Sequence, residues 1–435
     1  MGYATAGDGG GAVFQKIVGN FKDTYLTTAT IAAGSGYVNG TYDTIPLTGG
    51  SSNGCSGRVV VAGGVVTQVL ISIPCGGYAV GDVLSTNNAF LGGGTGFTYT
   101  ITGMSTPQGS FTDSAGNKFQ YVIDDGAFPN VRQFGAKLDW NGVDATATND
   151  RPAFMSAIAM ASIPFTSAGA LVYGNTIIVP RGSSLICGGS NGAVLPVPQG
   201  TTIKGAGVYG GSALKLCTAE SSSNHFIQLC DIYTSSGQFG CAVKDIALIA
   251  DGASNANIAA IYSISGQQFP LVDNVYIQPG TRGCIYYDFG KGGAANAIFQ
   301  NFDCETDGAI TNSSMVIGSN VGGTQVIVNN AVFGCVSLCT HFAITVSGGA
   351  EFQLNGVHVE GTSHGILMQN TARSVLRNFN VVSPCTAAVT LSAANPNGVT
   401  MIENMTSGCT TGVSNGHGGG ASVAGSILMP QIFNP

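Results

Sequence analysis

From residue 242 onwards, apolar and polar side chains alternate over short runs: KDIALIADG, DNVYIQPG, QNFDCETDG, NNAVFGCV, LNGVHVEGT, RNFNVVSPC and ENMTSGCT. A period of two is that of a β-strand with one face buried. Each run is introduced by Asn or Asp, at Asp245, Asn274, Asn301, Asn330, Asn355, Asn378 and Asn404, with intervals of 29, 27, 29, 25, 23 and 26 residues. A repeat of about 26 residues marks a solenoid, and units this rich in strand pattern and glycine predict coils of strand rather than of helix. Parallel coils stacked on one another bury a continuous core, and the recurring amides predict a side-chain ladder with a structural role.

Upstream the pattern changes. Over 149–162, Asn149 and Asp150 offer helix caps, Pro152 suits a first turn, and Phe154, Ala157, Ile158 and Ala161 share one face, which predicts one amphipathic helix. It is placed to cover the strand edge of the first coil. Residues 30–104 carry GSGYVNGTY, CGGYAVGDVL and VVVAGGVVTQVLI; the Gly63-Gly64 pair suits a two-residue hairpin turn, so a small Gly-rich β domain is expected. This divides the chain into an N-terminal segment (1–29), the small domain (30–104), a neck (105–129), a long solenoid (130–412) and a tail (413–435).

The segment NVRQFGAKLDWNGVDATATND from Asn130, with TIIVPRGSSLI from Thr176 and LPVPQGTTIKGAG from Leu195, resembles the opening of the pectate-lyase-like β-helix proteins, among them phage tailspikes and exopolysaccharide-acting enzymes. Their pattern is Asn-Val-x-x-Phe-Gly-Ala-Lys-x-Asp-Gly. This chain supplies Asn130, Val131, Phe134, Gly135, Ala136, Lys137 and Asp139, and departs at Trp140-Asn141-Gly142. The resemblance implies an all-β fold, a right-handed parallel β-helix with one N-terminal capping helix behind the small Gly-rich β domain. It also implies a homotrimer in a virion tail, joined to other tail proteins through its N-terminal region and binding host surface polysaccharide. The Gly-rich modules of residues 30–104 are likewise similar to those of virion structural proteins.

Composition narrows the partners. Only 15 of 435 residues are Lys or Arg, none in a run, and the net charge is -7, so nucleic acid is not an expected partner. The most apolar stretch, from Val59, is broken by Gly63-Gly64 and carries Thr67, Gln68 and Ser72, so no membrane insertion is expected. The N-terminus has no basic start followed by an apolar run, and no secretory signal is read there. Without one, the 12 cysteines read as small buried residues of a chain folded in a reducing cytosol. Cys335, Cys339 and His341 have no second cluster to complete a metal site, and no cofactor motif is present; GAGVYGG from Gly205 follows no βα pattern.

Charged residues make up 9% of the chain, yet NFDCETDGAI sets Asp303, Glu305 and Asp307 at alternate positions. If Phe302, Cys304 and Thr306 face the core, the carboxylates face out; Asp307 precedes Gly308 and reads as a turn residue. Aligning neighbouring units places Tyr276 and Gln278, then Asp303 and Glu305, then Val332 and Gly334, then His358 and Glu360, then Asn380 on one outer face. Asp303, Glu305 and Glu360 are the candidate acid and base of glycoside hydrolysis, with His358 as orienter or proton relay and Tyr276 and Asn380 as sugar-binding groups. Solvated surface carboxylates are the plainer reading of the same residues, and a non-catalytic adhesin is the rival function. Arg282, Arg373 and Arg377 are the cations that a polysaccharide lyase would use; His225, His341, His364 and His417 stand isolated in the sequence.

Overall fold

The computed structural model describes residues 14–52, 54–71, 74–121, 128–161, 165–167, 170–172, 175–188, 193–198, 200–220, 225–229, 240–251, 255, 257–263, 270–288, 296–306, 310, 313–318, 325–335, 339–347, 351–369, 373–382, 385–392 and 399–415.

Two parallel ladders run through the C-terminal two-thirds. One orders the strands Thr176–Ile178, Thr202–Lys204, Ala242–Ile249, Leu271–Gln278, Asn296–Thr306, Gln325–Cys335, Glu351–Val359, Arg373–Val381 and Val399–Ser407. The other orders Ala193–Val197, His225–Leu229, Ala259–Ser263, Gly283–Asp288, Met315–Gly318, Cys339–Ser347, Thr362–Gln369, Ala387–Leu391 and Thr411–Asn415. Every strand pairs with its counterpart one coil away, which makes the chain a parallel β-solenoid.

The repeating Asn and Asp residues have a different task from the one their place in each run suggests. Asp245, Asn274, Asn301, Asn330 and Asn378 have φ between 47° and 54° and bend a long strand part-way along it rather than opening it. Left-handed backbone costs about 1–2 kcal/mol for most residues and least for Gly, Asn and Asp, whose short side chains bond locally. Asn355 is the exception: it lies opposite Asn329, and Gly356, at φ 67°, takes the bend. The ladder is mixed as well. Asn274 donates to Asp245 Oδ1 at 2.8 Å, Asn301 to Asp273 Oδ1 at 2.9 Å, Asn330 to Asn301 Oδ1 at 3.2 Å and Asn378 to Asn355 Oδ1 at 2.8 Å.

The inward positions are those the alternation marks. Phe302, Cys304, Phe333, Val357 and Val359 are buried, and Phe302 and Phe333 meet edge to face at 5.4 Å. The cysteines depart from expectation. Cys55–Cys75, Cys187–Cys217, Cys284–Cys304, Cys335–Cys339 and Cys385–Cys409 are disulfides with Cα separations of 4.5–6.2 Å, inside the range the bond requires, and Cys241 is also disulfide-bonded. Burial was read correctly for several of them, but a reduced state was not: four of these five pairs join residues 20–30 positions apart, which no local spacing marks, while Cys335 and Cys339, four apart, were weighed as metal ligands.

The helix spans Arg151–Ala161 and packs on the first-coil strands Thr176–Ile178 and Ala193–Val197. Its residues from Ala153 to Ala161 are all buried, not those of one face, because the small domain and neck cover its other side: a Cβ on Gly76 would stand 3.4 Å from that of Ala159, and Gln120 reaches Met160. Asp150, 1% exposed, does not cap the helix with its carboxylate. It accepts from the amides of Lys137 and Leu138 at 2.7 and 2.9 Å and so pins the loop that the opening motif encodes. Asn149 Oδ1 takes the capping role, accepting from Arg151 N at 3.1 Å.

The small domain holds two three-stranded sheets around its own core, with Gly63 and Gly64 at φ 63° and 77° joining Cys55–Ala62 to Val65–Ile71 in the expected hairpin. Phe14–Ile17, grouped by sequence with the N-terminal segment, pairs antiparallel with Lys118–Tyr121 of the neck. Among the described residues, no helix is long and apolar enough to cross a membrane, and no three His, Cys, Asp or Glu side chains are grouped to hold a metal ion. The tail beyond Asn415 lies outside the described residues.

Candidate active site

Strand register builds the site. On the outer face beyond the bend, Tyr276, Asp303, Val332, His358 and Asn380 occupy one row, each opposite the next in the neighbouring coil. The row two residues further along carries Glu305 opposite Gly334, and Glu360 follows one coil on, where its amide bonds to Phe333 O at 2.9 Å. Coils stand about 4.8 Å apart and alternate residues about 6.6 Å apart. The two rows therefore form a trough with a bare floor, Val332 and Gly334, between the coil of Asp303 and Glu305 and that of His358 and Glu360. Gly334 measures the gap: a Cβ placed on it would lie 3.7 Å from Glu305 Cγ and 3.8 Å from Glu360 Oε1.

Each polar group in the trough has a definite environment. Tyr276 Oη donates to Glu305 Oε2 at 2.9 Å. Asn380 Nδ2 donates to His358 Nδ1 at 3.2 Å, which leaves the ring proton on Nε2, facing Glu360 Oε2 at 3.2 Å. Asp303 is half-buried, and its Oδ1 is buried without a hydrogen-bond partner among the described residues. Burial, and then the charge of Glu305, hold its carboxyl above the usual carboxylate range; the Tyr209 hydroxyl opposes this and the Glu360 charge adds to it. The Tyr276 hydroxyl is pushed up by burial and by the bond to Glu305, so it stays a donor.

Tyr209 is the site residue that sequence reasoning missed. It projects, 78% exposed, from the Gly-rich loop between Thr202–Lys204 and Ser212–Leu216, an earlier coil of the same ladder. The loop is held by Gly207 N to Asp245 O and Ser212 N to Gly207 O, both 2.9 Å, and it brings the Tyr209 ring to 6.1 Å from that of Tyr276 and its hydroxyl to 3.5 Å from Asp303 Oδ2. An oxygen pair at 3.5 Å is too long for a strong hydrogen bond. The available signal was an aromatic residue set among glycines with no core position to fill.

Other residues singled out in the sequence lie elsewhere. Asp307, His417 and the side chain of Arg373 fall outside the described residues. Arg377 stands opposite Asn355 and Glu403, on the leg before the bend, and Arg282 lies by the other sheet, so neither joins the trough. His341 pairs with Ser314 Oγ at 3.0 Å and His364 meets Phe342 edge on at 4.6 Å, both structural settings.

No family model matches the chain, and no curated protein matches it in sequence. Among solved structures it is similar to the A-module of a mannuronan C-5 epimerase of Azotobacter vinelandii, at 12% identity and TM-score 0.36, over 71% of this chain and 100% of that one. It is similar to tailspike protein 2 of an Escherichia coli O157:H7 bacteriophage, at 11% identity and TM-score 0.41, over 78% and 44%. A third is WceF of Pantoea stewartii, a glycan biofilm modifying enzyme with a tailspike-like parallel β-helix fold, at 10% identity and TM-score 0.39, over 86% and 64%. The likeness is one of fold. What the trough does is argued from the trough.

Proposed function

We propose that the trough holds a polysaccharide chain and hydrolyses a glycosidic bond, with Asp303 as general acid and Glu360 as base. The observation that carries this is the unequal treatment of the carboxyls. Burial and then the charge of Glu305 raise the Asp303 pKa above the usual carboxylate range, while Glu360 stays exposed on the far side of a bare floor. In the step proposed, the Asp303 proton passes to the glycosidic oxygen as the C1–O bond breaks, and a water attacking C1 gives its proton to Glu360. An acid and base about 6.5–9.5 Å apart leave room for that water and invert the anomeric centre. Asn380 orients His358, which in turn holds Glu360; Tyr276 and Tyr209 supply ring faces for sugars.

A non-catalytic adhesin is the second reading, favoured by the hydrogen bonds that already occupy Glu305 and Glu360. Incubation with polysaccharide from a susceptible host separates the two. New reducing ends without unsaturated products support hydrolysis, unsaturated products point to a lyase, and binding without products leaves an adhesin. Hydrolysis that survives both Asp303→Asn and Glu360→Gln removes the assignment of these residues.

The setting we propose is a virion tail, with the N-terminal region docking to other tail proteins and three chains packing side by side on the host surface. A sedimentation mass equal to one chain is incompatible with that assembly.

A further inference from the structure

A second polar cluster lies at the start of the other ladder. His225 stacks on Tyr262 with ring centroids 3.7 Å apart, and Tyr262 stacks on Tyr286, the residue opposite it one coil on, at 5.6 Å. The Arg282 guanidinium lies 4.0 Å from the Tyr286 ring centre and 5.4 Å from that of Tyr262. Its Nη1 stands 3.5 Å from His225 Nε2, a long contact. No carboxylate lies within ion-pair distance of Arg282 among the described residues.

The Arg282 guanidinium makes the cluster positive. His225 is 7% exposed, and burial, then Arg282, then Arg58 of the small domain bring its pKa down to about 3, so it stays neutral. Two guanidiniums thus act on one buried imidazole, in a chain with only 15 Lys and Arg. His225 Nδ1 is also buried without a partner. A guanidinium set over a tyrosine ring keeps its in-plane N–H groups for hydrogen bonding, and those of Arg282 that do not face His225 are left for a carboxylate. Tyr286 and Arg282 are both partly exposed, so those groups are reachable from solvent.

We infer that this cluster binds an anionic sugar, its carboxylate on the N–H groups of Arg282 and its ring against Tyr286. The sugar part of the assignment rests on the glycan reading of the trough; the anion part does not. Sodium glucuronate, methyl glucoside and sodium acetate are the probes, read by ligand-observed NMR and by thermal shift on the full chain. Glucuronate is expected to bind at least tenfold more tightly than either of the others, and Arg282→Gln to abolish that preference. Arg282→Lys, which keeps the charge without the fork, should retain a part of it. Asp303→Asn should leave glucuronate binding unchanged, so failure of the trough assignment is told apart from failure here. Equal binding of glucuronate and methyl glucoside by the wild-type chain overturns the proposal even where no Arg282 variant folds. Acetate binding as tight as glucuronate overturns the sugar.

Discussion

Gly334 is the most informative single position for testing the trough. It has an ordinary strand conformation, and a Cβ there meets Glu305 Cγ and Glu360 Oε1 at 3.7 and 3.8 Å, which is normal van der Waals contact. Gly334→Ala therefore costs the fold nothing in space, and removal of backbone freedom from the unfolded chain stabilises by about 0.5–1 kcal/mol. The new methyl sits against the Glu360 oxygen that we propose receives a proton from water. Displacing one hydrogen-bonded water from a charged group costs about 1.5–3 kcal/mol, roughly ten- to a hundredfold in rate at about 1.4 kcal/mol per tenfold. Gly334→Leu carries three further carbons into the same gap and should remove both polysaccharide binding and cleavage. The assay is reducing-end release under kcat/KM conditions, with binding by calorimetry and Tm measured on the same samples. Wild-type turnover in a folded Gly334→Leu protein would refute the placement of substrate across this floor.

Three further outcomes follow from named contacts. Asp303 has a folded-state pKa above its unfolded one, so its ionisation opposes folding: the stability loss is absent below the unfolded value, about 3.9, and grows as pH rises through the folded value. Asp303→Asn should then raise Tm at neutral pH, with the gain shrinking to nothing in acid; a gain that persists below pH ~3 contradicts this origin. Gly356→Ala forces a Cβ to 2.7 Å from Asn330 Oδ1 at φ 67° and should cost about 1–2 kcal/mol in denaturant melts, with Gly356→Asn costing less because Asn tolerates that backbone. Closing a loop of the Cys55–Cys75 separation, 20 residues, contributes about 3 kcal/mol, so the double Ala variant should lower the melting of the small domain and spare the solenoid, as two calorimetric transitions would show.

The fold was legible because a solenoid writes its geometry into the sequence once per coil. Alternation fixed which of Phe302, Asp303, Cys304 and Glu305 point inward, and the repeat length fixed which coils meet, so the order Tyr276, Asp303, Val332, His358, Asn380 follows from sequence and is the observed register. Legibility failed wherever a contact skips that regularity. The bend falls on Gly356 and not on Asn355 because a one-residue shift of the amide leaves the apolar alternation unchanged. Cys284 of one ladder pairs with Cys304 of the other, and no period connects them.

Tyr209 was missed for the same reason, and it bears on mechanism. Asp303 and Glu305 leave the same face of the same strand, so a difference in their burial depends on the neighbours of each, Tyr276 and Val332 beside Asp303 and Gly334 beside Glu305. A loop laid over the ladder adds to that difference. Here the loop from Gly205 to Gly211 leans forward along the solenoid and sets its one aromatic ring next to Asp303 and Tyr276. Tyr209→Phe, which keeps the ring and removes the hydroxyl that lowers the Asp303 pKa, should raise the upper pH limit of hydrolysis, and Tyr209→Ala should weaken substrate binding as well. A variant that changes KM alone, with the pH profile of kcat unmoved, would make Tyr209 only a sugar platform and leave the asymmetry of the two carboxyls to the strand and Tyr276.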